Sequence, residues 1–322
     1  MKEYTALIIL NYNNVEDTLN CIDSVEIFNS AAIKYIIVDN GSSRHNASSL
    51  LQASLKERFK DRLVVLTDKD VPLVELPYVT LVESSTNDGY AQGNNKGLKL
   101  AYEDRSITKV MILNNDILFV EDIIPGLLKY LKDLPDAAIV SPMLYSKELE
   151  KIDYTCARRK STIGEEILYN TCSHFFCSYV ESKLRKRYIL LDSDISKRVI
   201  PIDLPSGSCM LLDKQMFVEI GSFDPHTFLY WEEQILHEKI RKIGKQNYLC
   251  TDFKCIHVGG AATVAFVGSL FTLKCGNESS LYYWRHYSNC SEAAYITLRI
   301  SIWFNTLLSV VRIKLSSLKK RL

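Results

Sequence analysis

Residues 5–43 read TALIILNYNNVEDTLNCIDSVEIFNSAAIKYIIVDNGSS, and this stretch decides the fold. It begins with one apolar run, residues 5–10, and carries a second at residues 35–38, and polar residues follow both. Apolar residues at helical spacing predict an amphipathic helix over residues 17–28 between the two runs. Two buried strands joined by a helix form a parallel βαβ unit, whose ligands bind beyond the carboxyl ends of the strands.

The same alternation continues along the chain. It predicts strands at 63–66, 79–82, 109–113 and 138–140, and helices at 48–59 and 120–131. The sequence thus predicts an α/β fold with a mostly parallel central sheet flanked by helices.

A Gly/Asn-rich segment interrupts this pattern at residues 87–97, NDGYAQGNNKG. We expect a loop there that opens a helix over residues 97–102. Small residues let the backbone approach a ligand, and a helix N-terminus offers free N–H groups to an anion. The alternative is a simple capped turn, since the glycines at 89, 93 and 97 do not form the dinucleotide fingerprint.

Composition sets limits on function. The chain has 322 residues, 47% hydrophobic and 24% charged, with a net charge of +1. This is typical of a globular enzyme, and no strong overall field indicates a nucleic-acid partner. Nine cysteines and an N-terminus without a signal-peptide pattern predict reduced thiols in a cytoplasmic protein.

A carboxylate follows the predicted strand at 109–113, in the sequence Asn114-Asn115-Asp116. A strand-end carboxylate beside amide oxygens can hold a divalent cation that bridges phosphates. The alternative is a polar turn.

The stretch 206–260 brings together an aromatic patch at residues 228–231, the pair Glu232-Glu233, and His257 before two glycines. A carboxylate pair beside aromatic residues indicates a general base at a binding wall. A histidine before glycines indicates a ligand held near the backbone. The alternative for the pair is an exposed helix start, stabilised by the helix dipole.

Two basic segments leave alternatives open. The clusters 158–160 and 183–187 indicate either a solvated face or an insertion that grips an anionic acceptor. Near the C-terminus, apolar residues recur at helical spacing over 300–311, before a basic end. This run is short of the ~20 residues of a membrane span. It therefore indicates an interfacial membrane helix, with a core or dimer helix as the alternative.

Six segments in this order resemble a family-2 inverting glycosyltransferase of the GT-A fold, in its rhamnosyltransferase-like branch. The resemblance runs from about Thr5 to Gly260, with a weaker echo at residues 282–285. The segments are residues 8–13, 37–42, 87–97, 113–116, 221–224 and 228–233.

The resemblance implies a role for each matching residue. The nucleotide-sugar donor would contact Asn11, Tyr12, Asp39, Asn40, Asn87, Gly93, Asn94, Asn114 and Asn115. Asp116 and His257 would hold Mg²⁺ or Mn²⁺, and Tyr230 and Trp231 would bind the acceptor. Glu233 would be the general base, with Glu232 as the second choice, because the usual Glu-Asp pair is Glu-Glu here.

The predicted function is therefore metal-dependent, inverting transfer of a sugar from dTDP-rhamnose or a UDP-sugar. The acceptor would be a glycan or polyprenyl-linked precursor of a surface polysaccharide. The alternatives are a non-catalytic nucleotide-sugar binding protein and a sugar nucleotidyltransferase. Contact with the inner membrane surface and homo-oligomer formation are further predictions.

We expect a GT-A domain over residues 1–265, with a donor half to about 117 and an acceptor half from 118. A C-terminal helical extension would follow over residues 266–322.

Overall fold

The structure, a computed structural model, describes residues 2–71, 73–147, 151–259 and 269–319. The strands of this described part are β1 (Tyr4–Asn11), β2 (Ile33–Asp39), β3 (Leu63–Thr67), β4 (Val79–Glu83), β5 (Ile107–Asn114), β6 (Ile117–Phe119), β7 (Ala137–Tyr145), β8 (Ala157–Arg158), β9 (Val199–Ile202), β10 (Leu204–Pro205), β11 (Cys209–Asp213) and β12 (Gln246–His257).

The helices are α1 (Val15–Phe28), α2 (Ala47–Phe59), α3 (Gly89–Glu103), α4 (Ile124–Asp133), α5 (Ile163–Cys172), α6 (Cys177–Leu184), α7 (Lys214–Glu219), α8 (Glu232–Lys242), α9 (Ser269–His286) and α10 (Glu292–Lys319). Single turns of 3₁₀ helix lie at Lys60–Arg62, Tyr154–Cys156, Arg185–Arg187 and Ile189–Leu191.

The central sheet has the strand order β3-β4-β2-β1-β5-β11-β7-β12-β6, and β9 pairs with β12. The strands from β3 to β5 are parallel, while β11 runs antiparallel to β5. This register sets Asn11 beside Asp39, and Leu10 beside Asn114. The predicted α/β fold with a mostly parallel sheet is confirmed, and the polar strand ends meet at one edge.

Helices cover both faces of this sheet. Successive residues of β1 alternate between two cores, with Leu7 and Ile9 in one and Ala6 and Ile8 in the other. The first core is closed by α1, α2 and α4, and the second by α3, α7 and α8. A third, smaller cluster joins Ile235 of α8 to α9 and α10.

Three predicted boundaries are wrong. Helix α3 begins at Gly89, so the segment predicted as a loop is itself helical. Strand β7 continues through Pro142 to Tyr145, and the helix predicted from residue 120 begins at Ile124. Gly97 explains the first error, because a Cβ there would lie 2.8 Å from the Ile8 side chain. The glycine is needed for close contact between helix and sheet, not for a loop.

Candidate functional site

A buried network of polar side chains joins the ends of β1, β2 and β5. Asn11 Nδ2 donates to Asp39 Oδ1 at 2.8 Å, and Thr18 Oγ1 donates to Asn11 Oδ1 at 2.9 Å. Asn115 Nδ2 donates to Thr18 Oγ1 at 3.0 Å, and the Ser42 hydroxyl donates to Asp39. Asn11 and Asp39 are almost fully buried. They hold the loops beyond the strands in fixed relative positions.

A cavity of about 130 Å³ lies above these strand ends. Its lining residues are Leu10, Tyr12, Asn40, Asn87, Gly89, Tyr90, Asn114, Asn115, Phe228 and Leu229. The structure thus brings together five of the predicted donor-binding residues, while Asn11, Asp39, Gly93 and Asn94 lie outside the lining. Tyr90 and Phe228 were not predicted for this site. Their backbones meet where Tyr90 N–H donates to the Phe228 carbonyl at 2.8 Å.

Gly93 and Asn94 lie on the buried face of α3. A Cβ on Gly93 would lie 3.0 Å from Asn40 Nδ2, and Asn94 Nδ2 donates to the Tyr90 carbonyl at 2.9 Å. Both residues therefore support the wall that carries Asn40 and Tyr90.

Asp116 and His257 face each other at the end of β12. His257 Nε2 lies 3.5 Å from Asp116 Oδ2, and its Nδ1 lies 2.9 Å from Asp153 Oδ2. Ser208 Oγ lies 3.5 Å from the same Nε2. Burial lowers the pKa of His257, but hydrogen bonds and charge from Asp116 and Asp153 outweigh it and raise the pKa to about 9.

This pair fits a divalent cation. Asp116 Oδ1 is buried without a hydrogen-bond partner, and Asp153 fixes the orientation of the imidazole, as second-shell carboxylates do at metal sites. In the described ranges no three His, Cys, Asp or Glu side chains converge on one point. A cation held by Asp116 and His257 would therefore take its other ligands from phosphate oxygens and water. Asp153 lies in an irregular segment and gave no sequence signal.

Glu233 lies beside the turn at residues 206–208. Its Oε1 accepts a hydrogen bond from Gly207 N–H at 3.1 Å and lies 3.5 Å from Arg158 Nη2. Tyr90 Oη donates to the Gly207 carbonyl at 2.6 Å, which fixes the turn from its other side. The next residue, Ser208, lies beside His257 and accepts a hydrogen bond from Asn114 Nδ2 at 3.3 Å. The turn thus contacts the Glu233 carboxylate at Gly207 and His257 at Ser208.

The neighbouring Glu232 has a different environment. Its side chain is 5% exposed, and its Oε1 has no hydrogen-bond partner. Burial, and then the charge of Glu233, raise its pKa to about 8. Glu233 retains access to solvent, with 21% of its side chain exposed. Of the two, Glu233 is therefore the carboxylate that a substrate can reach.

The backbone before this pair is strained. Tyr230 and Trp231 have φ angles of 71° and 73°, a left-handed conformation that costs energy for residues other than glycine. The Trp231 ring packs against Tyr283 at a centroid distance of 5.2 Å and against Trp284 at 6.1 Å. Contacts with α9 thus hold the turn that sets the direction of α8.

The basic cluster 158–160 divides into two kinds of residue. Arg159 pairs with Glu165, and Lys160 Nζ lies 2.8 Å from Glu238 Oε1. Arg158 instead reaches Glu233, because β8 pairs with β10 just before the 206–208 turn. Sequence reasoning grouped the three together, and only the structure separates the residue at the site.

Tyr230 and Trp231 line part of a second cavity, of about 420 Å³. Its remaining lining residues, from α5, α9 and α10, are Glu166, Tyr169, Asn170, Thr272, Leu273, Gly276, Asn277, Ser280, Ile302 and Asn305. The Ser280 hydroxyl is buried without a partner. A lining that combines aromatic rings with amide and hydroxyl groups suits the binding of a sugar.

Comparison with known proteins gives the family. Residues 6–190, more than half of the chain, match the family described as Glycosyl transferase family 2. The chain belongs to glycosyltransferase family 2. A curated relative, the low-salt glycan biosynthesis hexosyltransferase Agl10 of Haloferax volcanii, is 23% identical over 235 residues. That match covers 72% of this transferase and 60% of the relative, so the chain spans less than two thirds of the relative's length.

Two solved structures show the same fold as this family-2 transferase. GalNAc-T7 with UDP, GalNAc and Mn²⁺ has a TM-score of 0.58 at 12% identity, covering 89% of this chain and 49% of that one. Mannosyltransferase PcManGT from Pyrobaculum calidifontis, with GDP-Man and Mn²⁺, has a TM-score of 0.54 at 14% identity. It covers 94% of this chain and 70% of that one. The predicted GT-A fold is confirmed.

Proposed function

We propose that this family-2 transferase moves a sugar, with inversion, from a nucleoside-diphosphate donor to a hydroxyl group of a glycan or polyprenyl-linked acceptor. One observation carries the proposal. The turn at 206–208 joins the Glu233 carboxylate, through Gly207 N–H, to Ser208 beside His257. A base and a candidate diphosphate site thus lie on either side of one short turn.

Glu233 is the general base in this proposal. It takes the proton of the acceptor hydroxyl as that oxygen forms a bond to the anomeric carbon. The bond from the anomeric carbon to the diphosphate oxygen breaks, and its electron pair leaves with the diphosphate. Attack from the side opposite the leaving group inverts the anomeric centre. The Gly207 N–H and the Arg158 guanidinium hold the Glu233 carboxylate toward this position.

Asp116 and His257 would hold Mg²⁺ or Mn²⁺, which would neutralise charge on the departing diphosphate. The Mn²⁺ in both neighbouring structures supports a divalent cation. The nucleoside would occupy the 130 Å³ cavity beside Tyr12, Asn40 and Asn87. Asn11, Asp39, Gly93 and Asn94 would shape that cavity from behind.

The acceptor would enter beside Tyr230 and Trp231, and its sugar would extend into the 420 Å³ cavity. Residues to about 117 would form the donor half and residues 118–265 the acceptor half. Helices α9 and α10 of the C-terminal extension complete the acceptor cavity. Residues 260–268 of this division lie outside the described part of the chain.

Two sources of support bear on the sugar. The motif resemblance favours dTDP-rhamnose, and the relative's description as a hexosyltransferase supports a hexosyl donor, a class that includes rhamnose as well as the hexoses of UDP-sugars. Its role in glycan biosynthesis supports a surface-polysaccharide precursor as acceptor. A panel of dTDP-, UDP- and GDP-sugars, with and without Mn²⁺, identifies the donor by release of the nucleoside diphosphate.

The Glu233→Gln variant tests the base with that donor. Glutamine keeps an oxygen to accept from Gly207 N–H but cannot take a proton. We expect turnover to fall roughly 10²–10⁴-fold, the range for a lost general base. Glu232→Gln is the matched control and should retain most of the activity. The reverse result, with Glu232→Gln inactive and Glu233→Gln active, would assign the base to Glu232.

A further inference from the structure

Helix α10 turns polar residues inward, together with Leu298 and Ile302, and exposes apolar residues on its outer side. Ser301 and Asn305 are buried, and Asn305 Nδ2 donates to Asn170 Oδ1 of α5 at 2.9 Å. Asn305 Oδ1 also lies 2.7 Å from His174 Nε2. On the opposite side the exposed apolar residues are Ile296, Ile300, Trp303, Leu307 and Val311, which follow one helical stripe.

The stripe continues onto a neighbouring segment. Phe175 stacks on Phe304 of α10 at a centroid distance of 6.4 Å, and it is itself 61% exposed. Phe176 and Tyr179 are exposed beside it on the α6 segment. We call the α10 stripe together with Phe175, Phe176 and Tyr179 the apolar face. A contiguous exposed apolar surface of this kind marks an interaction site.

Cations surround the apolar face. Arg299 and Arg312 on α10 are exposed, as are Lys183, Arg185 and Lys186 after the start of α6. Lys183 Nζ lies 5.4 Å from the centre of the Tyr179 ring. The hydrogen bond and charge of Glu181 raise the pKa of Cys177, and the charge of Arg312 partly opposes that shift. Glu181 is the acidic residue on α6, so positive charges predominate around the face.

The C-terminal helix meets the length and composition of a membrane span over Glu292–Arg312, the one such helix in the described ranges. Its inward hydrogen bonds to Asn170 and His174 tie it to the globular domain. A helix surrounded by lipid would lose those partners and leave polar groups unpaired in hydrocarbon. The geometry therefore favours a helix that lies in the membrane surface.

We propose that the apolar face docks on an anionic lipid bilayer, with the stripe of α10 in the interface. The cations fit lipid phosphates, and the exposed aromatic residues fit the headgroup boundary. A second copy of this chain would instead bring two sets of like charges together. The inference concerns membrane binding alone and stands whether or not sugar transfer takes place.

The chain carries its own probe for this docking. Trp303 is 65% exposed in the apolar face, whereas Trp284 is buried. Full-length protein is mixed with vesicles of phosphatidylcholine alone or with added phosphatidylglycerol. Binding to the mixed vesicles should shift tryptophan emission to shorter wavelength and carry the protein into the vesicle pellet. Vesicles of phosphatidylcholine alone should bind much less.

The double variant Ile300→Ser/Leu307→Ser should reduce vesicle binding roughly tenfold or more, since two apolar side chains leave the interface. Arg299→Gln and Arg312→Gln should each reduce it roughly fivefold. Ile27→Ser, at a residue on α1 that is 73% exposed, is the control and should bind as the original chain does.

Two results would overturn the inference. One is equal binding by the double variant and the Ile27→Ser control. The other is a dimer by light scattering without lipid that the double variant abolishes, which would assign the face to a second copy. Loss of vesicle binding with intact sugar transfer would contradict the docking and support the proposed function. Intact vesicle binding without sugar transfer would support the docking and contradict the proposed function.

Discussion

The proposed donor and acceptor sides of this site are built in different ways. On the donor side, Asn11, Thr18 and Asp39 are buried and hydrogen-bonded to one another. On the acceptor side, Tyr230 and Trp231 are in a left-handed conformation, and Glu232 Oε1 is buried without a partner. The Asn11, Thr18 and Asp39 network is thus preformed by satisfied polar groups, whereas Asp116 Oδ1 is buried without a partner. The proposed acceptor side maintains a strained turn, held by packing, next to Glu232 and the proposed base Glu233.

Because of this difference, we expect substitutions on the two sides to change different measured properties. A change at Asp116 or Asp153 should alter metal and donor binding, because Asp116 would hold the cation at the diphosphate and Asp153 orients His257. A change at Glu233 should alter turnover and spare donor binding. A change at Glu232 should alter folding stability. The predictions below follow this order of expected effect.

After Glu233→Gln, the largest effect is expected from Asp116→Asn. The substitution removes the carboxylate that faces His257 Nε2, so the cation would lose its charged ligand. We expect Mn²⁺-dependent turnover to fall roughly 10²–10³-fold, as for other lost electrostatic groups. The Mn²⁺-dependent rise in melting temperature with UDP or dTDP should also disappear. Asp133→Asn, at an exposed carboxylate on α4, is the control. An unchanged response to Mn²⁺ would remove Asp116 from the site.

A smaller effect is expected from Asp153→Asn. In the original chain the Asp153 carboxylate lies 2.9 Å from His257 Nδ1. The amide of the variant can still accept a hydrogen bond from Nδ1, but the amide lacks the negative charge that makes the imidazole a better ligand. We expect the Mn²⁺ requirement to rise roughly tenfold to a hundredfold, with turnover restored at saturating Mn²⁺. A loss of turnover that excess Mn²⁺ leaves in place would show that Asp153 acts in some other way.

The smallest effect is expected on stability, from Glu232. Its pKa is about 8 in the folded chain, against an ordinary value of 4.5, because burial disfavours the carboxylate. Between these two pH values the unfolded chain has lost the proton that the folded chain keeps. Folding stability should therefore fall by about 1.4 kcal/mol per pH unit as the pH rises through this window, and the loss should end above the folded pKa.

Urea unfolding of the original chain and of Glu232→Gln, from pH 5 to pH 7.5, checks this. The variant has no proton to lose, so the difference in unfolding free energy between the two proteins should grow with pH in the variant's favour. Parallel pH profiles would show that Glu232 is ionised in the folded protein.

The sequence was most informative where local pattern and tertiary contact agree. The apolar runs before Asn11, Asp39 and Asn114 predicted strands and brought their polar ends to one edge, as the structure shows. Helix α8 begins at Glu232, as the alternative interpretation of the acidic pair had it, but Glu232 is buried rather than exposed. Helix α3 was predicted too short, because Gly93 and Gly97 read as loop residues although tight packing on the sheet requires them.

The sequence did not predict the contacts between residues far apart in the chain. Asp153 contacts His257, which lies 104 residues further along the chain. Arg158 contacts Glu233 because the two-residue strand β8 pairs with β10. Neither Asp153 nor Arg158 lies in a periodic sequence pattern. The apolar spacing over residues 300–311 predicted a helix there, and α10 contains those residues. Only the contact of Asn305 with α5 shows which side of that helix is turned inward.

We propose that binding of the donor and activation of the acceptor belong to separate sides of one turn. The most direct test is Glu233→Gln measured twice, by donor-induced thermal shift with Mn²⁺ and by turnover with the same donor. We predict a thermal shift equal to that of the original chain and turnover reduced roughly 10²–10⁴-fold. Turnover near that of the original chain, or a lost thermal shift, would contradict it.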